Sequence, residues 1–274
     1  MFADFAAVLR VELDYRLEAN NADTIRAEFG AASEVVVPAV MDELTTSGLL
    51  VMDLVTGVPL ADQTALTASG LDRTQLAGSV VRAYLTMVLS HESFHADPHP
   101  GNLFALADGR LAIVDYGEVG HVSAATRAVF SRLLVAVAVA DPVGVADAVM
   151  AICHRTRPVD PTALGNDVNG LLAPMAGETL AGVRFGPLIS GVMVILRRHG
   201  LQLPTDLGLL LKTVIECEAT AREIDDGFEL TTVLALGTGI PTLGTSPARD
   251  AASPGIGPSP GGPDPLRRSA ADGG

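Results

Sequence analysis

Along residues 8–29, VLRVELDYRLEANNADTIRAEF, apolar side chains return every three or four positions: Val8, Val11, Tyr15, Ala19, Ala22, Ile25 and Phe29. That spacing lays one apolar stripe along a helix, which Gly30 ends. Two β-branched or aliphatic runs follow, VVVPAV and LLVMDLV, separated by the polar MDELTTSG. The pattern predicts a strand pair with its turn at Thr45–Gly48, closed by Gly57 and Pro59. Residues 72–94 return to helical spacing, with Leu76, Val80, Tyr84, Leu85, Val88 and Leu89 on one face and Asp72 placed as N-cap. HADPHPGN breaks this helix, because two prolines within three residues cannot continue it.

In NLFALADGRLAIVDYG two short apolar strands flank Asp108-Gly109, a dipeptide that predicts a tight hairpin with both central residues at positive φ. From about 123 to 230 the periodicity is helical, broken at Pro142, around Pro158–Pro161, at Pro174, at Gly186-Pro187 and at Pro204. The late helix with the clearest pattern is 207–225. Residues 245–274 hold six prolines, six glycines and no aromatics, a composition that cannot bury apolar surface and predicts a disordered tail. No repeat at solenoid periods is present.

The chain has 274 residues, 48% of them hydrophobic, so it can build a sizeable core. Its net charge of −14 argues against a bare nucleic-acid backbone as partner, since that needs clustered Lys and Arg. Phosphate held through a cation stays compatible, because carboxylates bind the metal. Cys153 and Cys217 are too few for a disulfide framework, and no set of residues around them resembles a zinc site. The first residues lack a basic signal-peptide start, and no apolar run reaches the ~18 residues of a membrane span. The expectation is a soluble, cytoplasmic protein. A single lysine, Lys212, stands among the basic residues, and the other seventeen are arginine.

Candidate chemistry concentrates where the second helix breaks. His95-Ala-Asp97-Pro-His99-Pro-Gly-Asn102 is followed, beyond the hairpin, by Asp115-Tyr-Gly117. This is the H-x-D-x-x-x-x-N and D-[FY]-G layout of kinase-fold phosphotransferases. Such chemistry needs oxygen ligands for Mg²⁺ on the nucleotide phosphates more than it needs covalent help. Asp115 would chelate one Mg²⁺, the Asn102 amide oxygen would complete a second site, and Asp97 would orient or deprotonate the acceptor. An overlapping pattern, His91-Glu92-Ser-Phe-His95, matches H-E-x-x-H, which on a continuous helix places two imidazoles on one zinc, with Glu118 or His121 as third ligand. Pro98 and Pro100 stop such a helix within a turn, and zinc would leave Asn102, Gly101 and the DYG unexplained. A zinc hydrolase is therefore the remote alternative, and His91 reads as a partly exposed helix-end residue.

HADPHPGNLF, DGRLAIVDYGEVG and the helix carrying Glu12-Leu-Asp14 and Glu18-Ala-Asn20 resemble the UbiB/AarF/ADCK family of atypical protein-kinase-like proteins. VVPAV, ELTT and LLVMDLVTGVPL are similar to that family's strand pair and hinge, and RRHGLQLPTDLGLLLKTVIECEATAREID to its late helices. The loop alone would also suit aminoglycoside or choline phosphotransferases; the ELD…EAN helix and the PHPGN wording favour UbiB/AarF. The resemblance implies an α+β, mostly α fold: a protein-kinase-like C-lobe with helix C and the hinge strands, most of the N-lobe missing. The implied boundaries are 1–60 for the N-lobe remnant, 61–244 for the C-lobe and 245–274 for the tail.

It also implies Asp97 as the catalytic-loop aspartate behind His95, Asn102 and Asp115 as metal ligands, and Glu12 and Asp14 as the ExD motif. Either Glu12 or Glu18 would be the acid facing an ATP-binding lysine; a helix sets the two about 240° apart, so both cannot point the same way. Adenine would lie along Asp53-Leu54-Val55 against Phe104. The implied cofactors are ATP and Mg²⁺, and the implied activity is an ATPase or phosphotransferase associated with isoprenoid-quinone biosynthesis. The family carries a KxGQ motif, a nucleotide loop and a strand lysine ahead of the ExD helix, and this sequence starts almost at that helix. The expectation is therefore a truncated or split reading frame, with weak or no catalysis by this chain alone. A non-catalytic pseudokinase or scaffold is the alternative. Surface left beside helix C, at Val8, Val11 and Tyr15 and along LLVMDLV, predicts self-association or a partner that supplies an N-lobe. Family members often end in membrane-spanning helices; the Pro/Gly tail supports no integral span, leaving peripheral contact with the inner membrane as a family implication.

Overall fold

The computed structural model describes residues 14–30, 33–175 and 185–228. The predicted tail at 245–274, Val8, Val11 and Glu12 lie outside them.

The first helix, α1 (Tyr15–Phe29), starts where the Asp14 carboxylate accepts the Arg16 backbone N–H and ends at Gly30 with φ +72°. Ala19, Ala22 and Ile25 form its buried stripe. Tyr15, expected on that stripe, is 45% exposed in the first turn.

A four-stranded sheet follows, in the order β1-β5-β4-β2. β1 (Val35–Val36) runs parallel to β5 (Leu111–Ile113), β5 is antiparallel to β4 (Leu103–Leu106), and β4 is antiparallel to β2 (Gly57–Pro59). The predicted pairing of VVVPAV with LLVMDLV is reduced to a narrow ribbon. Asp53 N–H donates to Ala39 O at 2.9 Å, Met41 N–H to Val51 O at 2.8 Å, and Thr46 N–H to Leu49 O at 2.8 Å around the turn. Pro38 has no N–H to give, which limits the ladder, and the valines before it find the edge of β5 instead. Pro59, read as a strand terminator, closes an edge strand that pairs with Phe104.

The Asp108-Gly109 hairpin forms, with a different turn from the one predicted. Gly109 alone adopts positive φ, at +83°. Gly109 N–H donates to Leu106 O, Leu106 N–H donates to Arg110 O, and the Asp108 carboxylate accepts the Arg110 N–H. That is a three-residue loop with glycine at its left-handed position, which spares Asp108 the strain.

α2 (Gln63–Ser69) and α3 (Arg73–Ser90) come next, and α3 is capped by Asp72 as predicted. It stops at Ser90, four residues short of the expected end. The N–H groups of Glu92 and Ser93 turn to the Glu28 carboxylate of α1, and Ser93–His95 forms β3, antiparallel to β6 (Val119–His121). The helix required for a zinc-binding H-E-x-x-H is therefore absent. His91 caps α3 and packs edge-on against Phe29, while His95 sits in a strand. This overturns the zinc-hydrolase reading.

The remaining helices are α4 (Ala124–Ala138), α5 (Pro142–Ile152), α6 (Pro161–Leu172), α7 (Phe185–His199) and α8 (Thr205–Ile224). A short pair, β7 (His154–Arg155) with β8 (Leu201–Gln202), joins them. Asp141-Pro142 and Asp160-Pro161 each open a helix with a carboxylate cap followed by proline at the first turn. The main core gathers Ile25, Tyr84, Met87, Leu103, Ile113 and Leu210 from α1, α3, the sheet and α8. A second core joins Val137, Val149, Leu164, Val168 and Leu196 of α4–α7. The architecture is mostly helical α+β with small sheets. Among the described residues no helix is long and apolar enough to cross a membrane.

One contact fixes β6 against β3. A Cβ on Gly120 would stand 2.2 Å from Phe94 Cζ, and that ring is buried in the main core. Gly120→Ala is expected to cost about 2–3 kcal/mol through overpacking, read by urea unfolding; a loss below about 0.5 kcal/mol would show that the β3–β6 contact has slack.

Candidate functional site

Asp97 follows β3, and the loop around it is held from both sides. Ala96 N–H donates to Glu118 O at 2.8 Å. From α8, Thr213 Oγ1 donates to Ala96 O at 3.3 Å and Thr220 Oγ1 donates to Pro98 O at 2.8 Å. The two threonines lie seven residues apart, on one face of the helix, and both are buried. A short 3₁₀ turn, Pro100–Asn102, then delivers the chain into β4, with the exposed His99 ring accepting the Gly101 N–H.

Asn102 is the junction of the site. Its carbonyl accepts the Val114 N–H at 3.1 Å, next to the Leu103–Ile113 pair of the β4–β5 ladder. Its side-chain Nδ2 donates to Asp97 Oδ2 at 2.9 Å. The hairpin therefore returns Asp115 to the loop that carries Asp97 and Asn102. Asp115 Oδ1 accepts the Gly117 N–H at 2.9 Å, which fixes the carboxylate against its own turn. Among the described residues, Asn102 Oδ1 and one oxygen each of Asp97 and Asp115 keep no protein partner.

α1 grips the DYG turn through one peptide. Glu18 Oε1 accepts the Tyr116 N–H at 3.2 Å and Asn21 Nδ2 donates to Tyr116 O at 3.0 Å. Burial, with help from the neighbouring Asp115 charge, raises the Glu18 carboxyl above its ordinary range, while the Tyr116 N–H works against that shift. Of the two acids considered on this helix, Glu18 reaches the site; Glu12 lies outside the described residues. Asp14 is engaged elsewhere. It caps α1 and takes the Arg16 guanidinium at 2.9 and 2.7 Å, which holds its carboxyl below the usual range.

His95 lies wholly buried under the loop. Its Nδ1 meets the Tyr84 hydroxyl at 2.6 Å, and its ring stands edge-on to both Tyr84 and Tyr116. Burial lowers its pKa and keeps it neutral. It supports the site from below and touches no solvent-facing ligand position. The hinge candidates lie on the far edge of the sheet. Asp53 is exposed and Val55 half-buried on the segment running into β2, whose Pro59 pairs with half-buried Phe104. Segment and ring thus share an edge, and among the described residues no hydrogen bond joins Asp53 or Val55 to Asp97, Asn102 or Asp115.

The free donors here are oxygens, the ligand type that Mg²⁺ prefers. Among the described residues no cluster of three or more His, Cys, Asp or Glu gathers to hold a metal. A cation resting on Asp115 and Asn102 would therefore complete its shell with phosphate and water oxygens, as Mg²⁺ does at nucleotide sites. The residues fit that ion and do not fit a closed zinc site. Sequence reasoning missed Tyr84, Asn21, Thr213 and Thr220. Only the seven-residue interval between the two threonines, on a helix otherwise read by its apolar face, marked any of them.

Comparison with known proteins agrees with this architecture. Residues 1–149 match the ABC1 atypical kinase-like domain, and residues 168–229 match the UbiB helical domain. The chain belongs to the ABC1 atypical kinase-like family. The UbiB relative of Marinobacter nauticus is 28% identical over 236 residues, covering 83% of this chain and 42% of its own length. The chloroplastic protein Activity of bc1 complex kinase 3 of Arabidopsis thaliana is 27% identical over 227 residues, covering 83% of this chain and 32% of its own. The chain thus spans between about a third and two fifths of these relatives. Among solved structures, the Rv3197–erythromycin complex from Mycobacterium tuberculosis shares the fold, with a TM-score of 0.57, 19% identity, and coverage of 81% of this chain and 57% of that one.

The raised Glu18 pKa has a thermodynamic sign. A carboxyl raised in the folded state favours folding while protonated and costs stability once pH rises through its folded pKa. Glu18→Gln keeps an acceptor for Tyr116 and removes the charge beside Asp115. The variant is expected to melt about 1–2 °C higher than wild type at pH 7 and to match it near pH 3.5. A variant that melts lower at pH 7 would mean that the charge-assisted bond to the Tyr116 N–H outweighs the cost of burying the charge.

Proposed function

We propose that the chain binds a magnesium nucleotide, ATP being the expected one, at Asp97, Asn102 and Asp115, and supports ATP hydrolysis or phosphoryl transfer there. One observation carries this reading: the Asn102 amide bonded to Asp97, with its carbonyl tied across the ladder beside Asp115. A carboxamide oriented in this way offers its oxygen to a cation and its nitrogen to the base. In the same reading, α1 and the 39–53 ribbon belong to the N-lobe side of a kinase-like fold, within residues 1–60. The helices from α2 onward make up the C-lobe side, to about residue 244.

Asp115 and Asn102 would hold the metal. Bound there, Mg²⁺ neutralises phosphate charge and orients the terminal phosphoryl group. Asp97 does the proton work. Its free oxygen accepts the proton of an attacking hydroxyl or water, while Asn102 keeps the other oxygen from rotating into the acceptor's path. His95 and Tyr84 act as positioning residues that brace the loop from the core. Glu18, paired with the Tyr116 N–H, sets the DYG turn. Adenine would lie on the β2 edge, along Asp53–Val55 and against Phe104. The tie to isoprenoid-quinone biosynthesis rests on the family resemblance.

A second reading has an observation of its own. The sole lysine, Lys212, lies on α8 rather than on a strand of the sheet, so the kinase-type strand lysine is absent from this chain's own residues. Nucleotide binding without turnover, in a scaffold role, would follow. Both readings are tested on the full chain by measuring ATP affinity and hydrolysis with Mg²⁺ and with EDTA, for wild type and Asp115→Ala. The proposal expects Mg²⁺-dependent binding, weakened at least about tenfold by the substitution. Binding with no hydrolysis favours the scaffold; equal affinity for wild type and variant removes the site.

A further inference from the structure

One exposed ion pair borders the backbone of the loop that carries Asp97. Lys212 Nζ donates to Glu118 Oε2 at 2.8 Å and stands 3.7 Å from Glu216 Oε2, with its side chain 43% exposed. Its neighbour Thr213 bonds Ala96 O, and the Ala96 N–H bonds Glu118 O, so lysine, partner and Asp97 share one small patch of backbone. The ammonium also feels the Asp97 charge, and its pKa is raised, first by the Glu118 hydrogen bond and next by these carboxylates, so it stays charged. Lys212 further borders an open groove of about 870 Å³ between α7 and α8, walled by Met193, Leu196, Gly208 and Leu209. The half-exposed ammonium thus borders both the backbone of the Asp97 loop and this groove.

Tethering explains this poorly. Glu118 and Glu216 are 46% and 41% exposed, and a solvated Lys–Glu pair contributes at most about 1 kcal/mol. The two buried threonines already fasten α8 to the loop. A phosphate is a better partner than an exposed carboxylate, because it offers the ammonium more oxygen and more charge. We propose that Lys212 exchanges Glu118 for the terminal phosphate of the bound nucleotide, and so supplies from α8 the cation that meets the transferred group beside Asp97. Glu118 is its resting partner. This rests on the nucleotide reading above and adds the chain's only amino side chain to it. α8 would then be a functional element of the site as well as its support.

Because Lys212 is the only lysine, the N-terminal α-amino group is the one other amine to separate from it, and peptide mapping does so. An acyl-phosphate derivative of ATP places an acyl carbonyl on the γ-phosphate. An amine within reach attacks it, forms an amide and releases ATP. The full chain is treated with this probe and Mg²⁺, and acylation is mapped by mass spectrometry, with ATP affinity measured in parallel by calorimetry. The expected result is acylation at Lys212 that excess Mg-ATP suppresses at least about tenfold, that Asp115→Ala abolishes, and that Lys212→Arg cannot show. Lys212→Gln should weaken ATP binding about tenfold, with Lys212→Arg retaining most of the affinity. If ATP binds but Lys212 escapes acylation, or is acylated equally with and without ATP, the inference falls and the nucleotide site stands. If ATP does not bind at all, both fall together.

Discussion

Two threonine hydroxyls on one helix hold the carbonyls before and after Asp97, and the arrangement of the site follows from that clamp. A loop carrying two prolines and a glycine in HADPHPGN has little secondary structure of its own to fix it. The clamp supplies partners for carbonyls that lie buried beneath the loop. With the backbone fixed, Asn102 reaches Asp97, the β4–β5 ladder carries Asp115 back to meet them, and α1 closes on the Tyr116 peptide. Beneath everything lies the buried Tyr84–His95 contact, a polar pair inside an otherwise apolar core. The contact satisfies Nδ1 of a buried ring whose Nε2 is left without a hydrogen-bond partner, so losing it would leave the ring wholly unpaired, which favours one packing of strand β3 against helix α3.

The site's electrostatics follow from the same geometry. Glu18, Asp97, Asp115 and Glu118 crowd the region, and Lys212 is the cation seen to bridge to one of them. Burial, with a smaller contribution from the Asp115 charge, raises the Glu18 carboxyl, and the Tyr116 N–H opposes that shift. In the proposed reading, a divalent cation carrying phosphate would add positive charge beside these carboxylates. The net charge of −14, which alone excluded only a class of partners, acquires a local meaning here.

Much of this was legible in the sequence, for identifiable reasons. The spacing of Asp97, Asn102 and Asp115 around an Asp-Gly hairpin survives into three dimensions because ladder pairing converts sequence distance directly into spatial proximity. Asp72 as cap and Gly30 as terminator read correctly because capping is local chemistry, whereas Pro142 and Pro161, read as breaks, open helices behind the Asp141 and Asp160 caps. Helix α3 was drawn too long because its end is decided by Glu28, sixty-four residues away in the chain. The strand pair was overestimated because Pro38 limits one partner and a parallel edge on β5 competes for it. The Tyr84–His95 contact leaves no trace in the sequence, and the threonine clamp leaves only its seven-residue interval, since side-chain bonds across more than a hundred residues, or within an apolar helix face, add little to the periodic pattern.

The central claim is that Asn102 and Asp115 share a divalent cation with nucleotide phosphate. Manganese titration followed by electron paramagnetic resonance, on the full chain with and without ATP, reads this most directly. The account predicts bound Mn²⁺ that appears only when ATP is present and is lost in both Asn102→Ala and Asp115→Asn. Mn²⁺ bound equally without nucleotide, or retained by both variants, would contradict it.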